Sequence, residues 1–88
     1  MLLILYGKPG CHLCEGLAEK LAQIQEPHFD LEMRDITTRE DWFAAYQYEV
    51  PVLSVSQGGK EQILPRPSPR ASVKQIEKML AKYLTGDR

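Results

Sequence analysis

The chain is 88 residues long, 43% hydrophobic and 26% charged, with 11 basic residues against 12 acidic ones for a formal charge of -1. A chain of that length is expected to form one domain, residues 1–88, around one core, with no room for a separate regulatory unit. The near-neutral balance argues against a surface built to neutralise nucleic-acid phosphates, and the ordinary apolar content against a disordered or fibrous chain.

The opening run Met1-Leu2-Leu3-Ile4-Leu5-Tyr6 has no basic flank and is too short for a signal-peptide core or a membrane span. Its unbroken apolar character, closed by Gly7-Lys8-Pro9-Gly10, predicts a short strand buried on both faces. From Cys11 onward, Leu13, Leu17, Leu21 and Ile24 follow helical spacing, with Glu15, Glu19, Lys20 and Gln23 elsewhere around the turn. An amphipathic helix ending before Pro27 is expected, with Leu13 as the anchor that starts its buried face. Gly16 costs such a helix about 1 kcal/mol relative to Ala, which suggests close backbone packing against a sheet.

Phe29, Leu31 and Met33 alternate with Asp30, Glu32 and Arg34, the period of a strand with one face more buried than the other. Thr37 with Glu40 three residues on has capping-box spacing, so a short second helix is expected there, with Trp42, Phe43 and Tyr46 as its apolar stripe. Trp42, Tyr46 and Tyr48 read as core aromatics rather than an exposed patch. Val50 to Val55 returns to strand character, and Gly58-Gly59 marks a tight antiparallel hairpin into a weaker strand from Glu61 to Leu64. Pro65-Arg66-Pro67-Ser68-Pro69-Arg70 reads as a stiff, extended connection with solvated arginines. Ser72 with Gln75 opens a last helix whose Val73, Ile76, Met79, Leu80, Tyr83 and Leu84 share a face, with Gly86 just past its end. The element order predicts an α/β fold in which the first strand, helix and second strand form a right-handed crossover with parallel strands.

Cys11 and Cys14 fall where the first strand meets its helix. Unpaired N–H groups and the helix dipole favour an anion there, and a lowered thiol pKa makes a cysteine nucleophilic at neutral pH. Cys11 is therefore the expected nucleophile, and Cys14, one helical turn on, the thiol that closes a disulfide and expels what Cys11 has captured. His12 is expected to stabilise the thiolate when protonated, or else to be a plain surface histidine. A metal centre is disfavoured, because only Cys11, Cys14, His12 and His28 could contribute and neither histidine has familiar ligand spacing. A pair spaced this closely would do little to staple a secreted domain, so a reducing, cytoplasmic setting is expected.

Tyr6-Gly7-Lys8-Pro9-Gly10-Cys11-His12-Leu13-Cys14, joined by Val50-Pro51-Val52-Leu53, resembles the glutaredoxins of the thioredoxin superfamily, and more narrowly the glutaredoxin-like proteins with a Cys-x-Leu-Cys motif. The resemblance covers nearly the whole chain. It implies a thioredoxin-like fold, a four-stranded mixed sheet flanked by three helices, with a cis Pro51 beside the reactive cysteine. It also implies that Val50 offers its backbone N–H and C=O to an extended substrate, and that Lys8 lies near a glutathione carboxylate. Lys8, His12, Val50 and Pro51 are thus the expected substrate-side residues. His12-Leu13 and the proline-rich segment depart from the glutathione-binding pattern; Arg66 and Arg70 on that segment either replace its missing anion contacts or, as expected of arginines on such a loop, are solvated.

The implied activity is thiol-disulfide exchange on protein or glutathione mixed disulfides, with no tightly bound cofactor and glutathione a candidate cosubstrate. The reductant would be glutathione or a thioredoxin reductase-type donor, and neither nucleic acid nor membrane is an expected partner. The alternatives are a non-enzymatic redox sensor or adapter, and an iron-sulfur cluster held by a dimer.

Overall fold

The computed structural model describes residues 1–26 and 28–84. Pro27 and Gly86, expected to mark helix ends, lie outside them. In chain order the elements are β1 (Leu2–Gly7), α1 (His12–Ala22), β2 (Asp30–Asp35), a 3-10 turn (Ile36–Thr38), α2 (Glu40–Tyr46), β3 (Val52–Gln57), β4 (Lys60–Ile63) and α3 (Val73–Leu84). The sheet runs β2-β1-β3-β4, with β1 parallel to β2 and antiparallel to β3, and β3 antiparallel to β4.

Because β1 lies inside the sheet and both faces are covered, Leu3, Ile4 and Leu5 are no more than 1% exposed. Leu3, Leu5, Leu53 and Val55 pack beneath α1 and α3 with Leu17, Leu21, Ile76 and Leu80. On the opposite face, Ile4, Tyr6 and Val52 pack with Ile36, Trp42 and Tyr46. Gly58 and Gly59, at φ +58° and +81°, form a two-residue loop between the paired Gln57 and Lys60, a turn that needs positive φ at both positions. The capping box of α3 is complete: Gln75 N–H donates to Ser72 Oγ at 3.1 Å and Ser72 N–H to Gln75 Oε1 at 2.8 Å.

Several local expectations are corrected. Thr37 does not cap α2. Asp35 Oδ1 accepts from Thr37 N–H at 2.9 Å and from the Thr37 hydroxyl at 2.6 Å, which winds the 3-10 turn, and α2 begins after Arg39 without a side-chain cap. The Thr37 hydroxyl and N–H hold the Asp35 carboxyl below its usual range. The buried stripe of α1 is Cys14, Leu17 and Leu21, whereas Leu13 is 51% exposed because the helix turns it away from the sheet. Gly16 does not pack on the sheet either, since a Cβ there would meet nothing within 4 Å. Met33 is exposed on the edge strand β2, and the last strand ends one residue earlier than expected, although Leu64 N–H still donates to the Leu53 carbonyl at 2.8 Å. Trp42 and Tyr46 are partly buried as expected, but Tyr48 is exposed. No described helix is long and apolar enough to cross a membrane.

Candidate redox site

Gly10, at φ +77°, turns the chain from the β1 end into α1, and Cys11 follows in extended backbone as the residue that caps the helix. Its sulfur accepts the Cys14 N–H at 3.2 Å, and its carbonyl accepts the Glu15 N–H at 3.0 Å. A sulfur occupies the place where a serine or aspartate oxygen normally satisfies a free helix N–H. Cys11 and Cys14 are joined as a disulfide, with Cα atoms 5.3 Å apart. The pair is asymmetric, Cys11 being half-buried and Cys14 only 4% exposed.

Gly7 makes room for the buried sulfur. A Cβ at Gly7 would lie 3.1 Å from Cys14 Cβ and 3.2 Å from Cys14 Sγ, so a side chain there would require Cys14 to shift. In the sequence Gly7 stands only in a turn and in the motif that carries the glutaredoxin resemblance.

Two grooves flank α1 and divide the expected substrate-side residues between them. One, of about 190 Å³, runs between α1 and residues 66–69 and is lined by His12, Leu13, Gly16, Lys20 and Pro51 among others. The other, of about 460 Å³, opens between α1 and β2 and is lined by Lys8, Cys14, Met33 and Arg34 among others. The structure therefore brings His12 and Pro51 together but leaves Lys8 on the other side of the helix. The His12 side chain is 97% exposed, and its Nδ1 lies 3.8 Å from Glu15 Oε1.

The Val50–Pro51 peptide bond is cis and Pro51 is buried. The backbone of Val50 is not free, contrary to expectation. Its N–H donates to the Tyr46 carbonyl at 3.1 Å, which also accepts the Glu49 N–H at 2.8 Å, because the chain leaves α2 in a last helical turn. Arg66 Nη1 donates to the Glu49 carbonyl at 3.0 Å and lies 3.5 Å from the Val50 carbonyl. Arg66 is thus bonded rather than simply solvated. Lys20 Nζ holds the other end of the proline-rich segment, donating to the Pro69 and Ala71 carbonyls at 2.9 and 2.6 Å. Lys20 and Arg66 clamp this strap against α1 and the Pro51 loop, and no local sequence pattern points to either.

A polar network lies on the face of the sheet opposite α1. The Tyr6 hydroxyl donates to Glu61 Oε2 at 2.5 Å and accepts from Arg34 Nη1 at 2.9 Å, while Ser54 Oγ donates to Glu61 Oε2 at 2.9 Å. Arg34 also pairs with Glu32 and places Cζ 5.4 Å from the Tyr6 ring centroid and 5.1 Å from that of Trp42. Burial, followed by the hydrogen bond and charge of Glu61, pushes the Tyr6 pKa up from 10.0 to about 12. Tyr46 packs on Tyr6 with ring centroids 4.6 Å apart, so the network supports the helix whose last carbonyl holds Val50. Among the described residues, no cluster of three or more His, Cys, Asp or Glu could hold a metal ion.

A helix-capping Cys-x-x-Cys disulfide beside a proline loop, on a four-stranded mixed sheet with three helices, defines a thioredoxin-like fold carrying a redox-type cysteine pair. The chain is 29% identical to a structural-genomics target from X. campestris, XcR50, over 89% of this chain and 93% of that one, with a TM-score of 0.59. The chain belongs to the glutaredoxin-like domain family (DUF836), whose profile matches residues 2–81. No match was found among the curated proteins. Family and cysteine pair together support a redox role of the thioredoxin-superfamily kind.

Proposed function

We propose that the chain is a dithiol oxidoreductase that reduces disulfides, protein disulfides above all, in a reducing compartment such as the cytoplasm. The observation that carries this reading is the Cys11 sulfur at the cap of α1, hydrogen-bonded to a helix N–H while the partner sulfur lies buried behind it. The N–H and the helix dipole stabilise negative charge on Cys11, the half-buried and therefore reachable sulfur.

In the reduced protein the Cys11 thiolate attacks one sulfur of the substrate. A Cys11 to substrate disulfide forms, the substrate disulfide breaks, and its other sulfur leaves as a thiolate that takes a proton from solvent. Cys14, once deprotonated, attacks Cys11 Sγ, forming the intramolecular disulfide and releasing the second substrate thiolate. The substrate gains two electrons, and an external thiol or dithiol donor returns two electrons to Cys11 and Cys14.

One placement favours protein disulfides over glutathione as substrate. Lys8 lines the groove away from Pro51, whereas the glutaredoxin resemblance implies a lysine there near a glutathione carboxylate.

Mass spectrometry of the protein equilibrated in glutathione buffers of graded potential tests the scheme. The expected result is a Cys11 to Cys14 disulfide with a midpoint of roughly -180 to -270 mV. The Cys11→Ser variant is expected to lose disulfide reduction entirely, and Cys14→Ser to accumulate the mixed disulfide. Unchanged turnover in both variants would sink the reading.

A further inference from the structure

The groove beneath the strap has an apolar floor that includes Leu13, Leu17, Pro51 and Ile76, and among the described residues its ionisable lining is His12, Lys20 and Arg66, with no carboxylate. Lys20 places its ammonium on the Pro69 and Ala71 carbonyls, and the exposed His12 has Nδ1 3.8 Å from Glu15 Oε1. Arg66 uses only Nη1 of a guanidinium with five N–H donors, so most of its donors are not engaged by the described residues. A carboxylate takes two parallel bonds from a guanidinium, each charge-assisted and about twice as strong as a neutral one.

We propose that Arg66 is the specificity-determining residue of this groove, selecting peptide or protein disulfides that carry an acidic residue beside the reacting cysteine. The proposal rests on the oxidoreductase reading above. Arg66 holds the Glu49 and Val50 carbonyls while the groove is empty and turns to the carboxylate when substrate arrives. The released Val50 carbonyl then accepts an N–H of the substrate backbone. Leu13, exposed in the lining of the groove two positions after Cys11, supplies apolar contact beneath the same segment.

The test uses three disulfide-linked peptides identical except for Glu, Gln or Lys beside the cysteine. They are assayed with the wild-type chain, Arg66→Gln, Arg66→Lys and Arg70→Gln. Arg70→Gln controls for net charge, since the Arg70 side chain has no hydrogen-bond or ion-pair partner among the described residues. The expected wild-type preference for Glu over Gln is about tenfold in kcat/KM and lies in KM, because one charged hydrogen-bonding pair is lost. Arg66→Gln should abolish the preference, Arg66→Lys should restore part of it, and Arg70→Gln should keep it.

Equal kcat/KM for the Glu and Gln peptides, a preference that survives Arg66→Gln, or an equal loss in Arg70→Gln would overturn the assignment. Binding of the same peptides, with serine for cysteine, to the oxidised protein is followed by NMR titration and is independent of turnover. Absent turnover with an Arg66-dependent preference for Glu in binding would remove the oxidoreductase reading and keep the Arg66 site. Absent preference in binding would remove the Arg66 site alone.

Discussion

The two faces of the sheet are built from different chemistry. The fully buried residues of the face beneath α1 and α3 are all aliphatic, with Phe29, Met79 and Tyr83 packed against them, two helices of 11 and 12 residues lying over Leu3, Leu5, Leu53 and Val55. The other face has only the 3-10 turn and a seven-residue helix to cover it. So small a cover leaves polar groups within reach of one another, and Tyr6, Ser54, Glu61, Arg34 and Glu32 satisfy each other there while Trp42 and Tyr46 pack around the phenol. The two faces carry different tasks. The aliphatic face anchors the cysteine helix through Leu17 and Leu21. The polar and aromatic face sets the end of α2, and with it the backbone of Glu49 and Val50 ahead of Pro51.

The largest effect should come from breaking the aliphatic face. Leu80, on α3, is wholly buried, and Leu80→Ala is expected to cost about 2–5 kcal/mol through lost transfer energy and the cavity left behind. Denaturant unfolding measures it, and a cost below about 1 kcal/mol would mean that α3 is not fastened to the sheet in this way.

The polar face should show itself instead in alkaline solution. Tyr6 stays protonated in the fold up to about pH 12 and loses its proton near 10.0 in the unfolded chain. Its contribution is therefore fully present below pH 10 and falls as pH rises from there towards about 12. At about 1.36 kcal/mol per pH unit the loss reaches roughly 2 to 3 kcal/mol. Comparing unfolding free energies of the wild-type chain and Tyr6→Phe across that interval isolates it. Tyr6→Phe should be less stable at neutral pH and should lack this part of the alkaline decline, and parallel curves for the two proteins would contradict the network.

The smallest effect has the opposite sign. A Cβ at Gly16 would stand in open space, so Gly16→Ala should raise stability by roughly 0.5–1 kcal/mol through helix propensity alone. Thermal unfolding checks it, and a loss of stability would show that Gly16 is packed after all.

Legibility in the sequence followed the range of the interactions. The apolar run of β1, the 3.6-residue period of α3, the Gly58-Gly59 turn and the Ser72 and Gln75 cap are each decided within a few neighbouring residues. So is the cysteine pair, because a strand followed by a glycine turn puts Cys11 at a helix start whatever lies around it. Leu13 marks the limit of periodicity, which offered it as core and could not tell which side of α1 the sheet would take. The strap clamps and the Tyr6 network escaped the sequence altogether: Lys20 meets the Ala71 carbonyl 51 residues away and Tyr6 meets Glu61 55 residues away. The sequence by itself determined the elements, the fold class and the cysteine pair, which depend on local spacing and chemistry. Only the tertiary structure decided which charges meet which carbonyls, and so how the groove beside Cys11 and Pro51 is shaped, because those partners are chosen by packing between distant segments.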